Sequence, residues 1–127
     1  MTLRIRSVDR GEGFHEIALE GRLDSNTYLE FEKLLDTLFN AKLKGIAFDL
    51  GGLSYMSSMG LRLFLRSAGY LKTVNGQLVF RKMQPQIKKV FDIANAIPSF
   101  AIFESVEEAD RYLERMQQKA LEGGDDK

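Results

Sequence analysis

The hydrophobic period of this chain changes near residue 24, and that change limits the folds open to it. In Leu3–Val8 and Phe14–Glu20 apolar residues alternate with polar ones, which is typical of half-buried strands. Only Arg10–Gly13 separates the two stretches, and so short a link favours an antiparallel hairpin. After residue 24 the apolar spacing becomes helical, on a stripe formed by Tyr28, Phe31, Leu35 and Leu38. The sequence therefore predicts a β-hairpin followed by a helix.

The start of this first helix carries candidate capping residues. Thr27 with Glu30 three residues later fits a capping box, although Asp24 or Ser25 could cap the helix instead.

Three strand–helix units follow the first helix. The strands are indicated by short apolar stretches at 45–50, 77–81 and 100–103. The helices after them are predicted to begin near Ser58, Pro85 and Ser105, and residues 51–57 are predicted to be a loop. Alternating strands and helices favour a mostly parallel sheet. We therefore predict an α/β fold, with a mostly parallel central sheet, one antiparallel edge strand and about four flanking helices.

The helix that begins near Ser58 is apolar on two faces. Its main stripe, predicted to face the sheet, consists of Leu61, Phe64, Leu65, Ala68 and Leu71. The opposite face carries Met59, Leu63, Arg66 and Tyr70. Two interpretations of this second face stay open: it packs against the first or third helix, or it is a partner-binding patch, because exposed apolar clusters tend to mark interfaces.

Length and composition exclude several classes of protein. A chain of 127 residues is long enough for one domain and too short for two. We assign residues 1–118 to that domain and predict a disordered tail at 119–127. The 18 basic and 18 acidic residues balance, which argues against direct nucleic-acid binding. Because the chain has no long apolar run and no secretory signal, we expect a cytoplasmic protein without membrane contact.

The sequence offers few groups for catalysis. There is no cysteine, and His15, inside the second strand, is the single histidine, so no metal site is predicted. Glycine-rich phosphate-binding motifs are absent, and Ser58 does not lie in a G-x-S-x-G turn. We therefore expect neither an enzyme nor a cofactor, and we interpret His15 as a solvent-facing strand residue.

Ser58 lies where a helix follows a buried strand. The first backbone amides of a helix lack internal partners, so a hydroxyl at this position can cap them. A phosphate there would gain the same free donors and the positive end of the helix dipole. Spacing alone leaves both interpretations of Ser58 open, a helix cap and a phosphorylation site.

The stretch around Ser58 resembles the signature of the STAS domain, especially of the bacterial anti-sigma-factor antagonists. That signature runs roughly D-L-S-x-L-x-[FY]-M-D-S-[ST]-G-L-G. The matching residues are Asp49, Leu50, Leu53, Tyr55, Met56, Ser58, Gly60 and Leu61. Gly21–Asp24 also resembles the G-x-[LI]-D motif that precedes the first helix of this family. The order of strands and helices agrees from about Leu3 to Met116, so the resemblance covers nearly the whole chain.

The resemblance implies a function and a set of site residues. In the family, the serine at the position of Ser58 is phosphorylated by a partner that is both an anti-sigma factor and a serine kinase, and a serine phosphatase reverses the modification. The unphosphorylated antagonist binds the anti-sigma factor and thereby frees the sigma factor. The predicted partner-binding residues are Asp24, Asn26, Thr27, Tyr55, Met56, Ser57, Ser58, Met59, Gly60, Arg62 and Leu63.

This chain departs from the family pattern beside the acceptor. Ser57 replaces the usual aspartate, and Met59 replaces the second hydroxyl residue. The lost negative charge reduces repulsion against a phosphate and changes what a kinase recognises, and Ser57 becomes an alternative acceptor. Arg62 stands where the family often has a small residue.

Two other functions remain as alternatives. These departures leave room for a constitutive STAS scaffold subunit of a larger regulatory or transport assembly. A small-ligand or nucleotide-binding domain is a third possibility, and the lack of a phosphate loop argues against it.

Overall fold

The computed structural model describes residues 2–96 and 106–123 of the chain. Four strands and four helices lie there, in the order β1 (Leu3–Gly11), β2 (Phe14–Leu23), α1 (Tyr28–Leu38), β3 (Gly45–Met56), α2 (Ser58–Thr73), β4 (Gln77–Arg81), α3 (Pro85–Ala96) and α4 (Val106–Leu121). The strand predicted at 100–103 and Ser105, near which the last helix is predicted to begin, lie outside the described residues. Helix α4 runs to Leu121, so residues 119–121 of the predicted tail are helical.

The four strands form one mixed sheet in the order β1-β2-β3-β4. β1 pairs with β2 in antiparallel fashion, whereas the β2–β3 and β3–β4 pairs are parallel. The predicted fold class is therefore confirmed, with an antiparallel strand at one edge of a parallel sheet and helices that cover it.

Aromatic rings hold α1 and α2 against the sheet. Phe31 of α1 and Phe64 of α2 both pack on Phe48 of β3, with ring centroids 5.8 and 5.0 Å away in edge-to-face geometry. Phe64 also contacts Phe80 of β4 and Phe91 of α3, at 5.7 and 5.5 Å. Edge-to-face pairs place the positive ring edge on a negative ring face, which adds to the energy of burying the rings. The ring of Phe64 also lies 5.2 Å from that of Phe31, so Phe64 joins α2 to two strands and to two other helices.

The buried arc of α2 differs from the predicted stripe. Leu63 is buried at 3% exposure, whereas Leu65 is 41% exposed and Ala68 lies at the surface. Tyr70 stacks on Phe39, just after α1, with ring centroids 4.8 Å apart. The prediction that Leu65 and Ala68 face the sheet was therefore wrong, and helix packing accounts for Leu63 and Tyr70. Because α2 contacts α1 and α4 as well as the sheet, its buried arc is wider than one stripe.

The predicted loop 51–57 was also wrong, because β3 continues through Met56. Its second half pairs with the end of β2, where Gly21 lies opposite Leu53 and Leu23 opposite Met56. The register between the two strands shifts after Ala18 and again after Gly21. Such irregularities break the two-residue alternation that marks a strand in sequence. The strand therefore delivers its end directly to the start of α2.

Candidate functional site

Ser57 joins β3 to α2 and is a structural residue. Its side chain accepts a hydrogen bond from the amide of Gly60 at 3.4 Å, in the N-cap position of α2. Its own amide donates to the carbonyl of Leu23 at 2.9 Å, and the residue is only 2% exposed. The helix cap is therefore Ser57, and the interpretation of Ser58 as that cap was wrong. A capping hydroxyl of this kind stabilises a helix by about 1 kcal/mol.

Ser58 is the first residue of α2, and it is half-buried. Its amide and its hydroxyl both donate to Oδ1 of Asp110 on α4, at 2.8 and 2.7 Å. A carboxylate at this end of a helix satisfies a free amide and interacts favourably with the helix dipole. The hydroxyl of Ser58 is thus held by a negative group from α4. The role of Asp110 could not be predicted from sequence, because nothing in its local pattern relates it to a residue so distant in the chain.

Glutamine side chains bind several backbone groups in the second half of β3. Strand β4 pairs only with Gly45–Asp49, so β2 is the one strand beside Gly51–Met56 in the described part of the chain. Gln117 of α4 accepts from the amide of Met56 at 3.0 Å and donates to its carbonyl at 2.8 Å. Gln86 donates to the carbonyl of Ser54 at 3.0 Å, and Gln84 donates to that of Gly51 at 2.7 Å. These three side chains form hydrogen bonds to β3 at positions where a neighbouring strand would otherwise pair.

The turn before α1 is fixed by Thr27. Its hydroxyl donates to the carbonyl of Arg22 at 2.8 Å and accepts from the amide of Asp24 at 2.9 Å. Asp24 in turn accepts from the amide of Asn26 at 2.9 Å. Thr27 occupies the N-cap position of α1 without a side-chain cap bond, so the predicted capping box with Glu30 does not form. The hydroxyl of Thr27 shapes the turn that carries Asp24 and Asn26.

Tyr55 links this turn to the start of α2. The guanidinium of Arg22 lies 4.0 Å from the centroid of the Tyr55 ring, and its Nε is 3.6 Å from Oδ2 of Asp24. Burial raises the pKa of the Tyr55 hydroxyl, and the carboxylates of Asp110 and Glu114 add to the increase. Arg22, Asp24 and Tyr55 thus lie together where the turn before α1 meets the end of β3.

The predicted partner-binding residues divide into two groups. The accessible ones are half-buried or exposed: Asp24, Asn26, Thr27, Tyr55, Ser58, Met59 and Arg62. The buried ones are Met56, Ser57, Gly60 and Leu63. Gly60 is explained by close packing, since a Cβ there would lie 2.6 Å from Cγ of Leu23. The buried group supports the surface from below, and its direct contact with a partner stays a prediction.

The sequence profile of the STAS domain family matches residues 7–109. This chain belongs to the STAS domain family. The putative anti-sigma factor antagonist BtrV of Bordetella bronchiseptica is 31% identical over 103 residues, which cover 81% of this chain and 89% of that protein. The anti-sigma-B factor antagonist of Staphylococcus epidermidis is 29% identical over 93 residues, covering 73% of this chain and 85% of the relative. The resemblance to the anti-sigma-factor antagonists is therefore confirmed.

Solved STAS structures share this fold. Unphosphorylated SpoIIAA superposes with a TM-score of 0.63 at 23% identity, over 71% of this chain and 83% of the other. The phosphorylated form of SpoIIAA, from Bacillus, gives 0.64 at 23% identity, over 75% and 86%. An anti-sigma factor antagonist from Mycobacterium paratuberculosis gives 0.62 at 16% identity, over 88% and 94%. The antagonists of the STAS family are binding regulators, which confirms that this protein is not an enzyme.

His15 of this STAS domain is half-buried on β2. Within residues 2–96 and 106–123, no three histidine, aspartate or glutamate side chains come together in a way that could hold a metal ion. None of the helices in the same residues has both the length and the apolar composition that a membrane crossing requires.

Proposed function

We propose that this STAS protein is a cytoplasmic anti-sigma-factor antagonist that works as a phosphorylation-controlled partner switch. Unphosphorylated, it binds an anti-sigma factor that is also a serine kinase; phosphorylated on Ser58, it releases that partner until a serine phosphatase restores it. The observation that carries the proposal is the position of the Ser58 hydroxyl, half-buried at the first residue of α2 and beside accessible residues of both family motifs.

The choice of Ser58 over Ser57 follows from burial and hydrogen bonding. A kinase must reach the hydroxyl oxygen, and Ser57 is 2% exposed with that oxygen turned to the amide of Gly60. The hydroxyl of Thr27 is similarly engaged by the backbone of its own turn. Ser58 is more accessible than Ser57, and its hydroxyl contacts a side chain on another helix, which can move away.

Charge explains how a phosphate would end partner binding. A phosphate adds about 1.5 to 2 negative charges beside the carboxylate of Asp110, which contacts the Ser58 hydroxyl. A partner that docks on this surface must then desolvate or displace the added charge. A penalty of about 3 kcal/mol, comparable to that of a badly placed interfacial charge, lowers affinity more than a hundredfold.

The test is phosphorylation by the cognate anti-sigma factor and ATP, followed by intact-protein mass spectrometry. We expect one added phosphate on the wild type, none on Ser58→Ala and one on Ser57→Ala. Titration calorimetry should then show binding of the anti-sigma factor to the unphosphorylated protein and at least a hundredfold weaker binding to the phosphorylated one. Loss of the phosphate in Ser57→Ala but not in Ser58→Ala would move the switch to Ser57.

A constitutive scaffold is the second candidate function, and the engagement of the Ser58 hydroxyl by Asp110 favours it. A scaffold would keep its partner when Ser58 carries a negative charge. Affinity purification with Ser58→Asp as bait and Ser58→Ala as control separates the two functions. Equal recovery of the same partner by both baits would support the scaffold.

A further inference from the structure

Helix α4 contacts the phosphoacceptor region through two polar side chains. Asp110 binds the amide and hydroxyl of Ser58, and Gln117 binds the amide and carbonyl of Met56. Because about two helical turns separate Asp110 from Gln117, they lie on the same face of α4, with the fully buried Leu113 between them. The residues on either side of the cap Ser57 are thus both held by α4.

We propose that α4 is a latch on Ser58: Asp110 holds the hydroxyl of the unphosphorylated protein, and phosphate on Ser58 expels Asp110 and loosens the part of α4 that precedes Gln117. The latch consists of Ser58, Asp110 and residues 106–116 of α4. It deepens the proposed function, on which the role of the phosphate rests.

The chemistry of phosphorylation removes the hydrogen bond that Asp110 receives. The Ser58 Oγ forms a bond to the γ-phosphorus of ATP, the bond from that phosphorus to the bridging oxygen breaks, ADP leaves, and the hydroxyl proton passes to a base of the kinase. The modified Oγ then has no hydrogen to donate. The carboxylate of Asp110, 2.7 Å from Oγ before the reaction, would face a group of about 1.5 to 2 negative charges.

The phosphate also competes for the remaining donor. Asp110 also accepts a hydrogen bond from the amide of Ser58, at 2.8 Å. This amide lies in the first turn of α2, where amides lack partners within the helix. A phosphate attached to Ser58 itself carries more charge than a carboxylate and gains more from the positive end of the helix dipole. Asp110 therefore loses both of its bonds to Ser58 when the phosphate is present.

The displacement should stop at Gln117. This side chain, 2% exposed, keeps its two bonds to Met56, and neither of them involves Ser58. Ala109 and Leu113 are buried and resist complete detachment of the helix. We therefore expect the latch to open locally, with faster exchange of the amides before Gln117 and an intact sheet.

Hydrogen–deuterium exchange on the free full-length protein tests the latch without a kinase. Ser58→Glu supplies a negative charge, Ser58→Ala removes the hydroxyl bond alone, and Asp110→Asn keeps the acceptor geometry without the charge. We expect amides 107–116 to exchange about tenfold faster in Ser58→Glu than in Ser58→Ala, which corresponds to about 1.4 kcal/mol of local stability. The double variant Ser58→Glu, Asp110→Asn should restore most of the protection of amides 107–116 against exchange.

Two results would overturn the latch: equal α4 exchange in Ser58→Glu and Ser58→Ala, or no recovery in the double variant. If Ser58→Glu does not fold, Asp110→Ala decides, because it should accelerate amides 107–116 without changing β2 and β3. If amides 107–116 exchange as slowly in Asp110→Ala as in the wild type, the proposal is rejected. The exchange measurement does not depend on a kinase. If α4 responds to the charge at residue 58 but no kinase modifies the protein, the switch is refuted and the latch stands.

Discussion

Gln117 of α4 accepts a hydrogen bond from the amide of Met56 and donates one to its carbonyl, so that one side-chain amide completes the backbone pairing at the end of β3. Both partners are buried, and Met56 lies two residues before Ser58. The position of the site therefore depends on a helix far along the chain as well as on the strand that leads to it.

Replacing Gln117 should destabilise the protein. In Gln117→Ala the amide and carbonyl of Met56 lose their partners in a buried setting, which costs about 1 to 3 kcal/mol per unsatisfied group. The matched control is Gln118→Ala, an exposed neighbour on the same helix, which should change the free energy of unfolding by less than about 0.5 kcal/mol. Urea unfolding followed by circular dichroism measures both, and equal values would argue against the Met56 contact.

Two glycines of α2 should respond to alanine in opposite directions. A Cβ on Gly60 would lie 2.6 Å from Cγ and 3.2 Å from the carbonyl oxygen of Leu23, so Gly60→Ala should destabilise by about 1 to 3 kcal/mol. Around Gly69 nothing lies within 4 Å of such an atom, and alanine should stabilise the helix there by about 0.5 to 1 kcal/mol. Thermal melts of the two variants should therefore shift to either side of the wild-type midpoint.

The orientation of α2 predicts a large difference between adjacent residues. Phe64 is fully buried among aromatic rings, so Phe64→Ala should lower the free energy of unfolding by about 3 to 5 kcal/mol. Leu65 is 41% exposed, and Leu65→Ala should change it by about 0.5 kcal/mol or less. Chemical denaturation distinguishes these outcomes. A comparable loss in both variants would support the stripe predicted from sequence.

The stability of the protein should fall at alkaline pH partly through Tyr55. Burial and the nearby carboxylates raise the pKa of its hydroxyl above the ordinary value of 10.0. Because the folded protein holds this proton more tightly than the unfolded chain, the free energy of unfolding falls as pH rises through the interval between the two pKa values. Lysine ionisation changes in the same range, so Tyr55→Phe is the necessary comparison.

The measurement is urea unfolding of wild type and Tyr55→Phe between about pH 9 and about pH 11. We expect Tyr55→Phe to become more stable relative to the wild type as pH rises. A difference that is independent of pH would show that the tyrosine ionises equally in both states.

Local patterns predicted the order of elements well and the long-range contacts poorly. The hairpin and the parallel strand–helix units follow from apolar residues that recur every two or 3.6 positions. Such periods depend only on residues close together in the sequence. The continuation of β3 past Gly51 was missed, because register shifts opposite Ala18 and Gly21 disrupt its alternation. The contact of Ser58 with Asp110 depends on how α4 packs, and no local pattern carries that information.

The family motif predicts a candidate site, but it does not separate the accessible residues of that site from the buried residues beneath them. Met56, Gly60 and Leu63 belong to the same stretch of sequence as Ser58, yet they face inward. A motif records which residues occur together, and only the fold decides which of them another molecule touches. Burial at the strand–helix junction supplied that distinction here.

The three glutamines along β3 also bear on how copies of this protein meet one another. Unpaired backbone groups at the margin of a sheet are a template for strand addition and aggregation. The carbonyls of Gly51 and Ser54, and both the amide and the carbonyl of Met56, are already bound by side-chain amides from α3, α4 and the segment before α3. In the part of the chain that the structure describes, a strand from a second molecule would have to displace these amides before it could pair with the second half of β3, which disfavours strand addition there.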